Sequence, residues 1–301
     1  MRMKTTLPAS IEGQNNDRLL MENEYIGDDG LIHCSICHEA KEKRIPDDSI
    51  ARRLKTIPLQ CACERKMRKA EKEQRIAEEH QRIVLRLRSI CFQAPFMYTW
   101  TFENSKYDNE QLTVAKNYVK NWEKNKKRNS GLLFWGDVGT GKSYLAACIA
   151  NALIDQEVSV RMITLADVLN HKLEDRAEFI QELCSPSLLI LDDFGMERDT
   201  SFGIEIVSFV VNTRVQMNKP LILTTNLSYD EIKNAPDTDH ERIYSRIRGV
   251  TVPVKFSGPD HRDNLRREHL QQMKNHLQEE AFLNERNDKS PDSPKDDTDH
   301  S

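Results

Sequence analysis

The chain has 301 residues, 31% of them charged, and a formal net charge of −4. That length suits one large domain beside a smaller one, and the near balance of charge excludes wholesale attraction to nucleic acid, which would have to come from local basic faces. The sequence has no run of about eighteen apolar residues and no signal-peptide pattern in its polar start, Met1-Arg-Met-Lys4, so a soluble cytoplasmic protein with no membrane partner is expected.

Residues 1–24 carry few apolar side chains and are expected to be flexible. Residues 25–65 hold Cys34-Ser-Ile-Cys37 and Cys61-Ala-Cys63, punctuated by Gly27, Gly30, Pro46 and Pro58. Seven cysteines without a secretory signal point to thiols or metal ligands, and four thiolates at this spacing suit tetrahedral Zn²⁺, which can support a unit too small to hold together on apolar burial alone. A redox pair, small buried thiols or an iron–sulfur cluster would use the same residues, and His33 or His38 could replace one ligand. Cys91, Cys148 and Cys184 sit alone in apolar surroundings and read as core.

A charged linker helix is expected over residues 66–91, its helical pattern starting near Glu64. Ile76, His80, Ile83, Val84 and Leu87 lie on one stripe, and between Glu64 and Ile90 nine basic residues face five acidic ones. That modest surplus suits a solvated helix with a packing seam as well as a nucleic-acid or partner surface. Pro95 and the aromatics Phe92, Phe96, Tyr98, Trp100 and Phe102 mark entry into the main domain, residues 92–270. A helix is predicted from Gln111 to Trp122, then a buried strand from Gly131 to Trp135.

Directly after that strand comes Gly136-Asp137-Val138-Gly139-Thr140-Gly141-Lys142-Ser143, a G-x-x-x-x-G-K-S phosphate-binding loop, and then a helix from Tyr144 to Leu153. The glycines let successive backbone N–H groups and a helix N-terminus face an anion. Lys142 places a charge at the β and γ phosphates of ATP, and Ser143 supplies a hydroxyl ligand to Mg²⁺. Residues 136–144 form the predicted nucleotide-binding segment. A strand from Val158 to Thr164 follows, with helices from Ala166 to Lys172 and Arg176 to Cys184.

The next strand, Leu188-Leu-Ile-Leu-Asp192-Asp193, has the unbroken aliphatic run of a parallel strand buried on both faces. Asp192 is the expected Mg²⁺ ligand, and Asp193 the group that orients or deprotonates the attacking water. A helix from Phe202 to Met217 stops at Asn218-Lys-Pro220, and the strand Leu221 to Thr225 ends in Asn226, so three strand termini converge on one nucleotide. Strands and helices alternate, which implies an α/β fold with a mostly parallel sheet covered on both faces. Residues 271–301 are expected to be a disordered acidic tail.

With these motifs in place the chain resembles the AAA+ replicative-helicase loaders of the DnaC and DnaI type over about Phe92 to Arg267. The resemblance rests on GDVGTGKS, on Asp192-Asp193-Phe-Gly, on Lys219-Pro-Leu-Ile-Leu-Thr-Thr-Asn226-Leu, and on Glu241-Arg-Ile-Tyr-Ser-Arg246-Ile-Arg. It implies an AAA+ P-loop NTPase with a small N-terminal zinc module, slow ATP hydrolysis, self-association on ATP, and as partners a hexameric DnaB-type helicase and single-stranded DNA. By the same resemblance Asn226 is the first sensor, Arg246 an arginine finger acting on a neighbouring subunit, and Arg262 a second sensor. Asp193 stands where many AAA+ enzymes have glutamate. The same core serves IstB-like transposition helpers, which generally lack a four-cysteine module, and a zinc-dependent DNA-binding adaptor that uses ATP only as a lock is a further possibility.

Overall fold

The computed structural model describes residues 20–46, 55–105, 109–170, 176–195, 201–261, 270–271 and 273–275. The chain divides into two compact units, residues 1–81 and 82–301.

In the first unit, β1 (Glu24–Ile26) pairs antiparallel with β2 (Ile32–Cys34), and β3 (Glu42–Arg44) with β4 (Thr56–Pro58). The hairpins are joined through Glu42, whose carboxylate accepts from the backbone N–H of Ile32 at 2.9 Å and the Thr56 hydroxyl at 2.6 Å. Apolar side chains do little of the holding, since Ile26, Ile36, Ile57 and Leu59 are all exposed. Helix α1 (Ala62–Cys91) begins ahead of the expected start near Glu64, which places Cys63 in its first turn. The reason is a long-range cap: Glu39 accepts from the free N–H of Ala62 at 2.7 Å, and no local pattern around residue 62 announces a partner 23 positions away.

The second unit carries a five-stranded, all-parallel sheet in the order β6-β7-β8-β5-β9. Its strands are β5 (Gly131–Gly136), β6 (Val160–Thr164), β7 (Leu188–Phe194), β8 (Leu221–Thr225) and β9 (Thr251–Phe256). Side chains alternate across it. Leu132, Phe134 and Ile190 point to a core shared with α4 (Lys142–Ile154), α2 (Glu110–Lys120) and the last turns of α1. Leu133, Leu189 and Leu223 point to a second core with α7 (Ser201–Gln216) and α9 (Thr238–Val250). Helices α5 (Leu165–Leu169) and α6 (Arg176–Leu183) flank β7, and α8 (Tyr229–Lys233) follows β8 under a Ser228/Glu231 capping box.

Three departures from the sequence pattern have identifiable physical causes. The helix expected from Gln111 to Trp122 breaks at Asn121 (φ −102°, ψ 20°), so that α3 (Trp122–Lys127) starts separately and buries Trp122. Strand β9 was not anticipated: its middle, Val252 to Lys255, is largely solvent-facing and contains Pro253, as an edge strand allows. Finally, Arg214 of α7 is fully buried. Its guanidinium donates to Pro220 O through Nε (3.1 Å) and Nη2 (2.7 Å), to Cys184 O and Pro186 O through Nη1 (2.7 Å each), and to Ser187 O through Nη2 (2.8 Å). One side chain thus ties the end of α6 to the starts of β7 and β8 and fixes where these strands emerge at the opposite edge.

Candidate nucleotide and metal sites

At the carboxyl edge of the sheet, β5 runs into the phosphate loop. Gly136 has φ +124°, and a Cβ there would lie 2.0 Å from the Phe256 carbonyl oxygen of β9, so only glycine lets the two strands pair through this point. Lys142, 6% exposed, donates from Nζ to Gly136 O (2.9 Å) and Asp137 O (2.6 Å), and Thr140 Oγ1 closes the turn onto Asp137 O at 2.7 Å. Gly139 has φ +75°, and a Cβ on it would stand 1.9 Å from Asp260 Oδ1; the backbone N–H of His261 donates to Gly139 O at 2.9 Å. The segment after β9 is therefore fastened onto the loop. Val138 is exposed at its tip, and Tyr144 donates to Thr101 O at 3.1 Å while packing near Trp100.

Asp192 and Asp193 lie at the end of β7, separated from β5 by β8. Burial pushes the Asp192 carboxyl upward, against hydrogen bonds from Thr224 and Ser143 that favour its ionised form. The Ser143 contact is informative, since it brings the two expected Mg²⁺ ligands onto each other. A hydroxyl in the first turn after a lysine-bearing anion loop and a carboxylate at the end of β7 are the oxygen donors that Mg²⁺ takes alongside phosphates, so the residues fit that ion. Asp193 has φ +56° and its side chain is exposed, facing away from the buried position of Asp192. Asn226 is exposed immediately beyond β8, between the ends of β5 and β7. Arg246 is exposed on α9, and Arg262 lies outside the described residues. Thr224, which contacts both aspartates, was missed by the sequence reading; its only signal was a hydroxyl inside an otherwise aliphatic strand.

In the first unit the sulfurs of Cys34, Cys37, Cys61 and Cys63 all lie within 4.8 Å of one another. A tetrahedral Zn²⁺ with bonds of about 2.3 Å places its sulfurs about 3.8 Å apart, so the four thiols fit it. Backbone N–H groups of Cys63 and Glu39 lower the Cys37 thiol to about 6, and the hydrogen bond Cys63 gives to Cys37 raises Cys63 to about 12. One sulfur is thus already disposed to be a thiolate inside a shared hydrogen-bonded group. His33 and His38 are engaged elsewhere: His33 Nε2 pairs with Asp29 at 3.0 Å and its Nδ1 with His38 O at 3.1 Å, while His38 Nδ1 meets the Tyr25 hydroxyl at 3.3 Å. Cys91, Cys148 and Cys184 are buried in the apolar cores of the other unit, where desolvation raises each thiol.

The parallel sheet, the loop and the paired aspartates define a P-loop nucleotide-binding protein of the AAA+ class. The family model for the IstB-like ATP binding protein matches residues 53–240, and the chain belongs to that family. It is similar to the replicative helicase loader DnaC of Escherichia coli (strain K12), 26% identical over 183 residues covering 57% of this chain and 72% of that protein. It is also similar to the replicative helicase loader DnaI of Bacillus subtilis (strain 168), 27% identical over 150 residues covering 45% of this chain and 48% of that protein. Among solved structures, a crystal structure of DnaI superposes with a TM-score of 0.50 at 22% identity, covering 58% of this chain and 98% of that one, a likeness of fold. Among the described residues no helix is long and apolar enough to cross a membrane.

Proposed function

We propose that this chain is an ATPase that loads a hexameric DnaB-type replicative helicase onto single-stranded DNA. The observation that supports the ATPase part is the buried Lys142 of the loop after β5 at the same sheet edge as the buried Asp192 carboxylate, which Thr224 and Ser143 stabilise in its ionised form. In this reading the backbone N–H groups of residues 136–144 and Lys142 hold the β and γ phosphates, and Ser143 and Asp192 hold Mg²⁺, which offsets phosphate charge when bound. Asp193 orients or deprotonates the water, Asn226 is the first sensor, Arg246 answers the charge developing on the transferred phosphoryl group, and Arg262 senses the γ-phosphate within its own subunit. An arginine exposed on α9 suits a finger inserted into a neighbouring subunit, and hence assembly on ATP.

The loader part is supported by the relatives' names and by the four-cysteine unit, residues 25–65, joined to the ATPase domain, residues 92–270, by a charged helix. That unit, holding Zn²⁺, is the proposed grip on the helicase. The family's name favours a second reading, a transposition helper, and the cysteine unit weighs against it. The deciding experiment is a pull-down with the replicative helicase of the same cell, combined with phosphate release with and without single-stranded DNA. Helicase capture with DNA-stimulated turnover is expected. No capture and no turnover would leave a DNA-binding adaptor.

A further inference from the structure

Thr224 is fully buried in β8, and its hydroxyl does two things at once. It donates to Asp192 Oδ1 at 2.5 Å and accepts the backbone N–H of Asp193 at 3.0 Å. The pairing of β7 with β8 is regular through Leu191 and resumes at Phe194, with a register irregularity across the two aspartates. At this irregularity Asp193 takes φ +56°, a left-handed conformation uncommon for a non-glycine residue and held by its surroundings. In an undistorted strand, neighbours at 192 and 193 would point to opposite faces, one of them into a packed core. Here the bulge keeps Asp192 inward and turns Asp193 out to solvent.

We infer that Thr224 is the positioning residue that divides the work of the two aspartates, fixing Asp192 as the buried metal-side carboxylate and the Asp193 backbone in the turn that aims the second carboxylate at the reacting water. The reasoning is geometric. A hydroxyl has one proton and two lone pairs, so a threonine that gives its proton to a carboxylate can accept from a neighbouring amide at the same time. A methyl in its place takes this partner from a buried carboxylate oxygen and from a half-buried N–H. The next residue, Thr225, uses its own hydroxyl to accept from Leu227 N at 3.1 Å, so consecutive threonines serve the end of β7 and the turn after Asn226.

This inference rests on the ATPase reading, and its test separates the two. In the full-length protein, Thr224→Val keeps the size and removes the hydroxyl, whereas Thr224→Ser keeps the hydroxyl. Turnover is measured against Mg²⁺ concentration, and binding of a fluorescent ATP analogue is measured with Mg²⁺ and in EDTA. Thr224→Val should lower kcat on the order of 10- to 100-fold and raise the half-saturating Mg²⁺ several-fold, with analogue affinity in EDTA unchanged because the loop is intact; Thr224→Ser should stay within about twofold of the parent. Wild-type-like Mg²⁺ dependence in Thr224→Val overturns the inference, and so does equal damage in both variants, which would assign the effect to packing. If the parent protein shows no turnover, the ATPase reading fails, and Thr224 is judged on whether Mg²⁺ still tightens analogue binding in Thr224→Val. Intact tightening again refutes it.

Discussion

Replacing Arg214 by methionine should destabilise the ATPase unit by about 5 kcal/mol. Four carbonyls, those of Cys184 and Pro220 buried and those of Pro186 and Ser187 half-buried, accept five hydrogen bonds from this one guanidinium. Losing the guanidinium costs roughly 2 kcal/mol at each carbonyl, or about 8 in all, with Pro220 O keeping only the long bond from Leu189 N at 3.4 Å. Against this stands the relief of desolvating a cation: burial lowers Arg214 to about 10 from 12.5, worth roughly 3 kcal/mol. The charge remains at neutral pH, so both terms apply there. A loss of about 5 kcal/mol is a large share of the 5–15 typical of a domain. Arg214→Lys should lie between, because an ammonium has three donors for four acceptors and cannot span their plane. Trp100, Trp122 and Trp135 all belong to residues 82–301, so tryptophan fluorescence in urea reports this unit alone. A loss under about 1 kcal/mol for methionine, or a lysine variant as unstable as the methionine one, would refute the accounting.

Purified protein should carry one Zn²⁺ per chain, and a strong chelator should unfold residues from about 25 to 65 while sparing nucleotide binding; metal-free protein with an unchanged circular dichroism spectrum would count against this. Lys142→Ala should abolish tight ATP binding, whereas Asp193→Asn should bind ATP and lose turnover by on the order of 10²-fold or more, so undiminished hydrolysis removes Asp193 from the mechanism. Arg246→Ala should bind ATP and hydrolyse it poorly, and mixing it with Lys142→Ala should restore part of the activity through mixed subunit interfaces. A mixture as inactive as its components would place the arginine's action within one chain.

The nucleotide site was legible because its parts are local. A loop between an apolar strand and a helix, and carboxylates at the end of an aliphatic run, are contiguous patterns, and parallel topology brings them to one edge. What stayed hidden depends on groups far apart in sequence. Arg214 reads as an ordinary helical residue until its carbonyl partners at 184–187 and 220 are known. The early start of α1 depends on Glu39, the opposed settings of Asp192 and Asp193 on Thr224 of the next strand, and β9 on an edge position that leaves its pattern half polar. The four cysteines were legible as a set, whereas the hydrogen bonds that occupy His33 and His38 became visible only with the hairpins in place.

The closeness of Gly139 to Asp260 links two positions 121 residues apart. Alanine at 139 would force the carboxylate at 260 to move, while the His261 N–H still ties the following segment to Gly139 O. Position 139 is thus constrained by what stands at 260, whereas 260 can vary while 139 stays glycine. Even the pair changed together must still meet a left-handed backbone at 139, which glycine alone accepts at no cost. Substitution at this corner is thus limited by a double gate, steric on one side and torsional on the other, and a library randomised at both codons should return glycine at 139 with a wider choice at 260.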